Sequence, residues 1–169
     1  GVSMNSFVRR FKNIYYKGKE TNLEDAIAKS QVERVYFLMG SNDISASTQR
    51  PYLFDNWNTM LQRIREKSPD VEIVLISNIP LYGDEQECKQ TRFLNYNSMI
   101  EDYNEKLKQF AADNGCMFLD LAYYVEDHCG RMPKIYNQGS YHMNEAGCLN
   151  WMKILRYYAQ YELEGGTLS

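Results

Sequence analysis

The sequence predicts an α/β fold, a three-layer sandwich with a central parallel sheet between two layers of helices. Three observations predict it. Apolar runs at 35–39, 71–77 and 116–121 stop abruptly in or beside small polar residues, which fits strands covered on both faces. Between them lie stretches whose apolar residues recur at three-and-four spacing, the pattern of amphipathic helices. Strands alternating with helices imply right-handed crossovers and therefore parallel strands. At 169 residues the chain is read as a single domain, 1–169, large enough to bury a core without disulfides or metals.

The elements follow in order. Met4, Phe7, Val8, Phe11, Ile14 and Tyr15 share one helical face and predict an opening amphipathic helix that Gly18 can end. Thr21-Asn22-Leu23-Glu24 reads as a capping box, its hydroxyl and carboxylate each satisfying a helix-start amide, and opens a short helix to about Ser30. The strand 35–39 runs into Gly40-Ser41-Asn42-Asp43. Leu53, Trp57, Met60, Leu61 and Ile64 predict a helix over 51–67, ended by Ser68-Pro69-Asp70. The strand 71–77, rich in β-branched residues, closes in Asn78-Ile79-Pro80.

A charged loop at 83–90 precedes a long helix over 95–114, with Met99, Ile100, Tyr103, Leu107 and Phe110 on one side and Gly115 as its left-handed cap. The strand 116–121 again ends near a carboxylate, Asp120. Turn formers make 130–140 a loop. A final helix spans 144–162, with Leu149, Met152, Leu155 and Tyr158 among its apolar positions.

A net charge of −3 leaves no electrostatic footprint for nucleic acid or an acidic membrane surface. No stretch approaches the roughly 20 apolar residues of a membrane span. Cys88, Cys116, Cys129 and Cys148 show no Cys-x-x-Cys spacing, and with 2 histidines a zinc site is hard to assemble. The four are read mainly as free or buried thiols, with a Cys88–Cys129 pairing left open. No metal or cofactor is expected. The 14 tyrosines and 7 phenylalanines serve a thick core or an aromatic cleft for sugars or acyl groups.

Ligand sites of parallel α/β folds sit at the carboxyl ends of the strands. Asn42 is therefore placed where a side-chain amide can donate to a developing negative charge, with Gly40 letting the chain turn. The same residues are also good turn chemistry. His128 lies in the polar run Glu126-Asp127-His128-Cys129, where a solvated side chain is the default. His142 lies in Gly139-Ser140-Tyr141-His142-Met143-Asn144-Glu145-Ala146-Gly147, where a loop presents an imidazole just before a helix. That is a seat for a general base, or for a packing or capping residue.

Gly40-Ser41-Asn42-Asp43 after a strand, followed by a histidine loop leading into the last helix, resembles the SGNH hydrolase superfamily, also called GDSL esterases and lipases. The resemblance runs from Gly1 to about Leu155 and implies the flavodoxin-like SGNH fold. It implies that Asn42 donates to an oxyanion hole and that the backbone amide of Gly1, in Gly1-Val2-Ser3, is a second donor. It makes His142 the catalytic histidine, with Asn144-Glu145-Ala146-Gly147 as the tail of its block.

Two positions depart from the family pattern. The residue three before the histidine, an Asp in the family, is Gly139, so the resemblance leaves a backbone carbonyl, Gln138 or Asp127 to orient the ring. The family's nucleophile lies in a Gly-Asp-Ser block after a first apolar strand, and no apolar strand precedes Gly1. The chain is therefore expected to lack that strand, with the serine upstream; Ser3 is a weaker nucleophile candidate, and Ser41 weaker still. The resemblance implies a serine esterase acting on small acyl esters such as acetyl groups on carbohydrates. A non-catalytic binding domain on the same scaffold and an acyltransferase are the alternatives.

Overall fold

The computed structural model describes residues 3–9, 14–45, 50–82, 91–139 and 142–163. The chain divides into two compact units, Gly1–Ile76 with Glu105–Phe118, and Ser77–Asn104 with Leu119–Ser169. The expected loop at 83–90, Gly1 and Cys88 lie outside the described residues.

The first unit holds the parallel strands. β3, Arg34–Phe37, and β4, Glu72–Ile76, pair in parallel register from Arg34↔Glu72 to Phe37↔Leu75. β5, Met117–Leu119, completes the order β3-β4-β5. Both faces of β4 are covered: Ile73, Val74, Leu75 and Ile76 are all buried, which is why this run is apolar without alternation. At its open end, Arg34 makes an ion pair with Glu72, directly opposite, at 2.7 Å.

α4, Leu53–Lys67, buries Leu53, Trp57, Met60, Leu61 and Ile64, the five positions its spacing singled out. Trp57 packs edge-on to Phe37 of β3 and tilted against Phe110. α1, Met4–Arg9, and α2, Leu23–Ser30, both pack on α4.

The opening helix is shorter than the spacing predicts. Ile14 and Tyr15 belong instead to a hairpin of β1, Ile14–Tyr16, and β2, Lys19–Thr21. Its turn is Lys17-Gly18, with φ of +50° and +75°. Positive φ at both central residues gives the mirror-image turn whose twist matches paired strands, so Gly18 serves a hairpin rather than a helix end. Thr21 is taken up as the last residue of β2. The N-cap of α2 therefore falls on Asn22, which makes no side-chain cap bond, and the expected capping box does not form.

α5, Thr91–Asp113, starts earlier than 95 and ends as expected. Gly115 has φ +59°. Its amide bonds the Ala112 carbonyl at 3.3 Å and that of Cys116 the Ala111 carbonyl at 2.8 Å. This pair of bonds satisfies two helix-end carbonyls and reverses the chain into β5. Arg65 adds a donor to the Asn114 carbonyl. Burial pushes the Cys116 thiol up, against the opposing pull of Arg65.

In the second unit the segment after β4 is pinned by side chains. Asn104 accepts from the Asn78 amide and donates to the Asn78 carbonyl, both at 2.8 Å. Asn97 accepts from the Leu81 amide at 2.8 Å. The two asparagines stand two helical turns apart on α5 and substitute for a neighbouring strand.

The third strand stops at Leu119 rather than 121. Asp120 caps a short helix, α6, Leu121–Val125, by accepting the Tyr123 amide. The same oxygen accepts the buried Ser77 hydroxyl at 2.9 Å, and that hydroxyl accepts the Ala122 amide at 2.8 Å. The predicted loop 130–140 contains a 3-10 turn, Lys134–Tyr136, and a hairpin of β6, Asn137–Gly139, with β7, His142–Met143. α7, Glu145–Leu163, follows at the expected place. Cys129 is an exposed free thiol, so the pairing left open for it is not formed.

Candidate active site

In the first unit the chain leaves β3 and turns at Gly40, whose φ of +111° is strained for any residue with a β-carbon. The Gly40 carbonyl accepts the amides of Asp43 at 3.0 Å and Ile44 at 2.8 Å. A short helix, α3, Ser41–Ser45, therefore starts on it. Asn42 is exposed while Asp43 is 0% exposed. Successive helical residues point about 100° apart. One turn thus sends the amide outward and the carboxylate into the protein.

The Asp43 carboxylate meets the start of α1. Its Oδ2 accepts the Met4 amide at 2.9 Å and its Oδ1 the Asn5 amide at 3.3 Å. Ser3 caps the same helix locally, its hydroxyl accepting the Ser6 amide at 3.2 Å and lying 3.0 Å from the Ser6 hydroxyl. All three amides at the start of α1 are thus satisfied, and the Ser3 hydroxyl is engaged in capping. The second expected donor, Gly1, lies outside the described residues.

In the second unit His142 opens β7 and pairs with Gly139 of β6 across an irregular register. Its ring is exposed, and among the described residues none hydrogen-bonds it. Gly139 has φ +148°, with open space where a β-carbon would stand. Gln138 is exposed. Asp127 commits its carboxylate to its own turn, accepting the amides of Cys129 at 2.8 Å and Arg131 at 3.1 Å and pairing with the Arg131 guanidinium at 3.4 Å. Neither Gln138 nor Asp127 hydrogen-bonds the imidazole.

The backbone around His142 is held by Asn144. Its Oδ1 accepts the Gly147 amide at 2.9 Å and caps α7, while its Nδ2 donates to the Ile135 carbonyl at 2.8 Å. The Asn144 amide in turn donates to the Tyr136 carbonyl at 2.8 Å. One side chain joins the start of α7 to the 3-10 turn that leads into the histidine hairpin.

Gly147 makes that closeness possible. A β-carbon there would stand 2.9 Å from the Tyr136 carbonyl oxygen, 3.0 Å from Tyr136 Cβ and 3.1 Å from Met143 Cβ. Gly147→Ala gains about 1 kcal/mol of helix propensity but must push backbone apart, at about 1–3 kcal/mol. The expected net result is a loss of up to about 2 kcal/mol, which lowers the melting temperature by up to about 8 °C at about 2–4 °C per kcal/mol for a chain of this size. A raised melting temperature would refute the close packing.

Glu126 carries the clearest electrostatic tension in this unit. Desolvation first, then the carboxylates of Asp120, Glu101 and Asp127, push its carboxyl above the usual range. The folded state therefore holds the Glu126 proton to higher pH than the unfolded state does. Stability from this group is lost as pH rises through the carboxylate range. Glu126→Gln is expected to raise the melting temperature at pH 7 and to lose that advantage below about pH 4, where the unfolded carboxyl is also protonated. A gain independent of pH would show that charge is not its source.

Sequence reasoning missed the bonds of Asp43 to the start of α1 and the Asn144 clamp. Asp43 was visible only as the end of a turn motif, because its partners lie 38 and 39 positions away. Asn144 did carry a signal, standing directly before an apolar-periodic run where N-caps belong.

The parallel strands with their covering helices, the glycine turn before Asn42 and the histidine hairpin before the last helix follow one another along the chain in the order that the SGNH resemblance leads one to expect. The chain belongs to the GDSL-like lipase/acylhydrolase family, whose model matches residues 13–148. Solved structures of three bacterial proteins share the fold. One, from Streptococcus pneumonia and described as a platelet activating factor, is 22% identical with a TM-score of 0.66, over 80% of this chain and 67% of that one. A Bacteroides fragilis protein described as an acylhydrolase is 16% identical with a TM-score of 0.65, over 96% of this chain and 72% of that one. A GDSL-like lipase of Bacteroides thetaiotaomicron is 14% identical with a TM-score of 0.66, over 97% and 72%. No curated protein matches the chain. No helix among the described residues is long and apolar enough to cross a membrane.

Proposed function

We propose that this single SGNH-type domain belongs to a serine esterase of small acyl esters, acetyl esters of carbohydrates foremost. The observation that carries the reading is the Gly40 turn, which exposes the Asn42 amide at the carboxyl end of a parallel strand and buries its neighbour Asp43. A serine from a Gly-Asp-Ser block upstream of Gly1 passes its proton to His142 as its oxygen attacks the ester carbonyl. Asn42 and the Gly1 amide hold the oxyanion of the tetrahedral intermediate. The alcohol leaves with the proton from the imidazolium, and a water activated by His142 then releases the acid.

Hydrolysis of p-nitrophenyl acetate by this chain and by a form extended upstream tests the reading. Activity confined to, or strongly raised in, the extended form supports it, and an inert extended form sinks it. One observation favours a second reading, a domain that binds esters or sugars without cleaving them. Gly139 stands where the acid should, and no described residue orients the His142 ring. A general base without its orienting carboxylate can lose up to about 10⁴-fold in kcat. Binding of an acetylated sugar without turnover would favour that reading.

A further inference from the structure

We propose that Asp43 is a positioning residue for the oxyanion donor Asn42, anchoring the turn that presents it to the start of α1. The inference rests on the esterase reading and adds to it a residue that touches no substrate. Asp43 is 0% exposed. Its carboxylate has no cationic partner among the described residues and is satisfied by the backbone amides of Met4 and Asn5. Burying a carboxylate is costly unless its hydrogen bonds are held in place.

Helix capping alone does not require that cost, because Ser3 already caps α1 from within. What a local cap cannot do is join two segments. Asp43 is adjacent to Asn42 on α3, and its two acceptors grip the residues that follow Ser3 directly. A short link of this kind fixes the turn that carries Asn42 against the start of α1. Donors to an oxyanion accelerate the reaction only when aimed before the charge develops, and a displacement of about 1 Å can cost about 10²-fold.

Asp43→Asn is the discriminating variant, being nearly isosteric. Its carbonyl keeps one bond to the Met4 amide, while its NH2 faces the Asn5 amide, donor to donor. Two measurements are made on the form that hydrolyses p-nitrophenyl acetate. In ¹⁵N-resolved NMR spectra the amides of Met4 and Asn5, together with the Asn42 side-chain amide, are expected to shift in Asp43→Asn while the rest of the spectrum stays folded. In kinetics kcat is expected to fall at least about tenfold with KM changed less than about twofold, since the donors act on the transition state. Asp43→Glu, with both acceptors but a longer reach, is expected to restore neither.

A folded Asp43→Asn protein with unchanged kcat overturns the inference while the esterase reading stands. Unmoved Asn42 and Met4 resonances overturn it whatever the kinetics. If the wild-type protein is inert with its serine in place, the esterase reading fails, and with it the catalytic consequence assigned to Asp43.

Discussion

His142→Ala is expected to lower kcat on p-nitrophenyl acetate by about 10²–10⁴-fold, the range for removing a general base. The residue stands at the surface of a two-residue strand. Its ring has no hydrogen-bond partner among the described residues, so its removal leaves no buried group unsatisfied. The melting temperature should therefore stay within about a degree or two of wild type, as for exposed substitutions generally. In a complete triad the histidine can be worth about 10⁶-fold, because nucleophile, base and acid act as a unit. Gly139 removes the family's acid from that unit, which places the expected loss well below that figure. A variant that keeps more than about a third of the wild-type kcat would remove His142 from the mechanism. A variant that loses kcat only through unfolding would show melting and activity falling together.

The parts of the fold legible in the sequence are those whose signal is carried by many residues at once. β4 commits four residues to the core and α4 five apolar ones, and both their positions and their buried faces follow from the pattern. Short elements carry no such redundancy. Ile14 and Tyr15 satisfy a helical spacing, yet the positive φ of Lys17 and Gly18 decides for a hairpin, and nothing in a hydrophobic pattern encodes φ. α6 ends the third strand early because Asp120 finds the Tyr123 amide.

The candidate site divides in the same way. Gly40, Asn42 and His142 stand out in the sequence as motif residues at a strand end and before a helix, where turn, capping and packing roles compete with a catalytic one. What holds them does not. The Asp43 tether joins positions far apart in the chain, and the fit of Gly147 under Tyr136 depends on a distance that only the fold creates.

Asn42→Ala is expected to lower kcat by about 10²–10³-fold with KM nearly unchanged, the cost of one oxyanion donor, about 2.7–4 kcal/mol. The argument is one of differential binding: a ground-state ester carbonyl asks little of the Asn42 amide, whereas the tetrahedral oxyanion asks for a charge-assisted bond. Asn42→Asp should be at least as damaging, since it replaces a donor by a negative charge facing the developing one. A binding domain without turnover predicts the opposite pattern, with both substitutions altering affinity for an acetylated sugar and no kcat to lose. The decisive comparison joins the two residues. If Asn42 and His142 serve one reacting carbonyl, the double variant Asn42→Ala/His142→Ala should lose less than the product of the two single losses, because once the base is gone less charge remains for the donor to stabilise. Losses that multiply in full would mean that the two side chains act on separate events, and the single-site mechanism would fall.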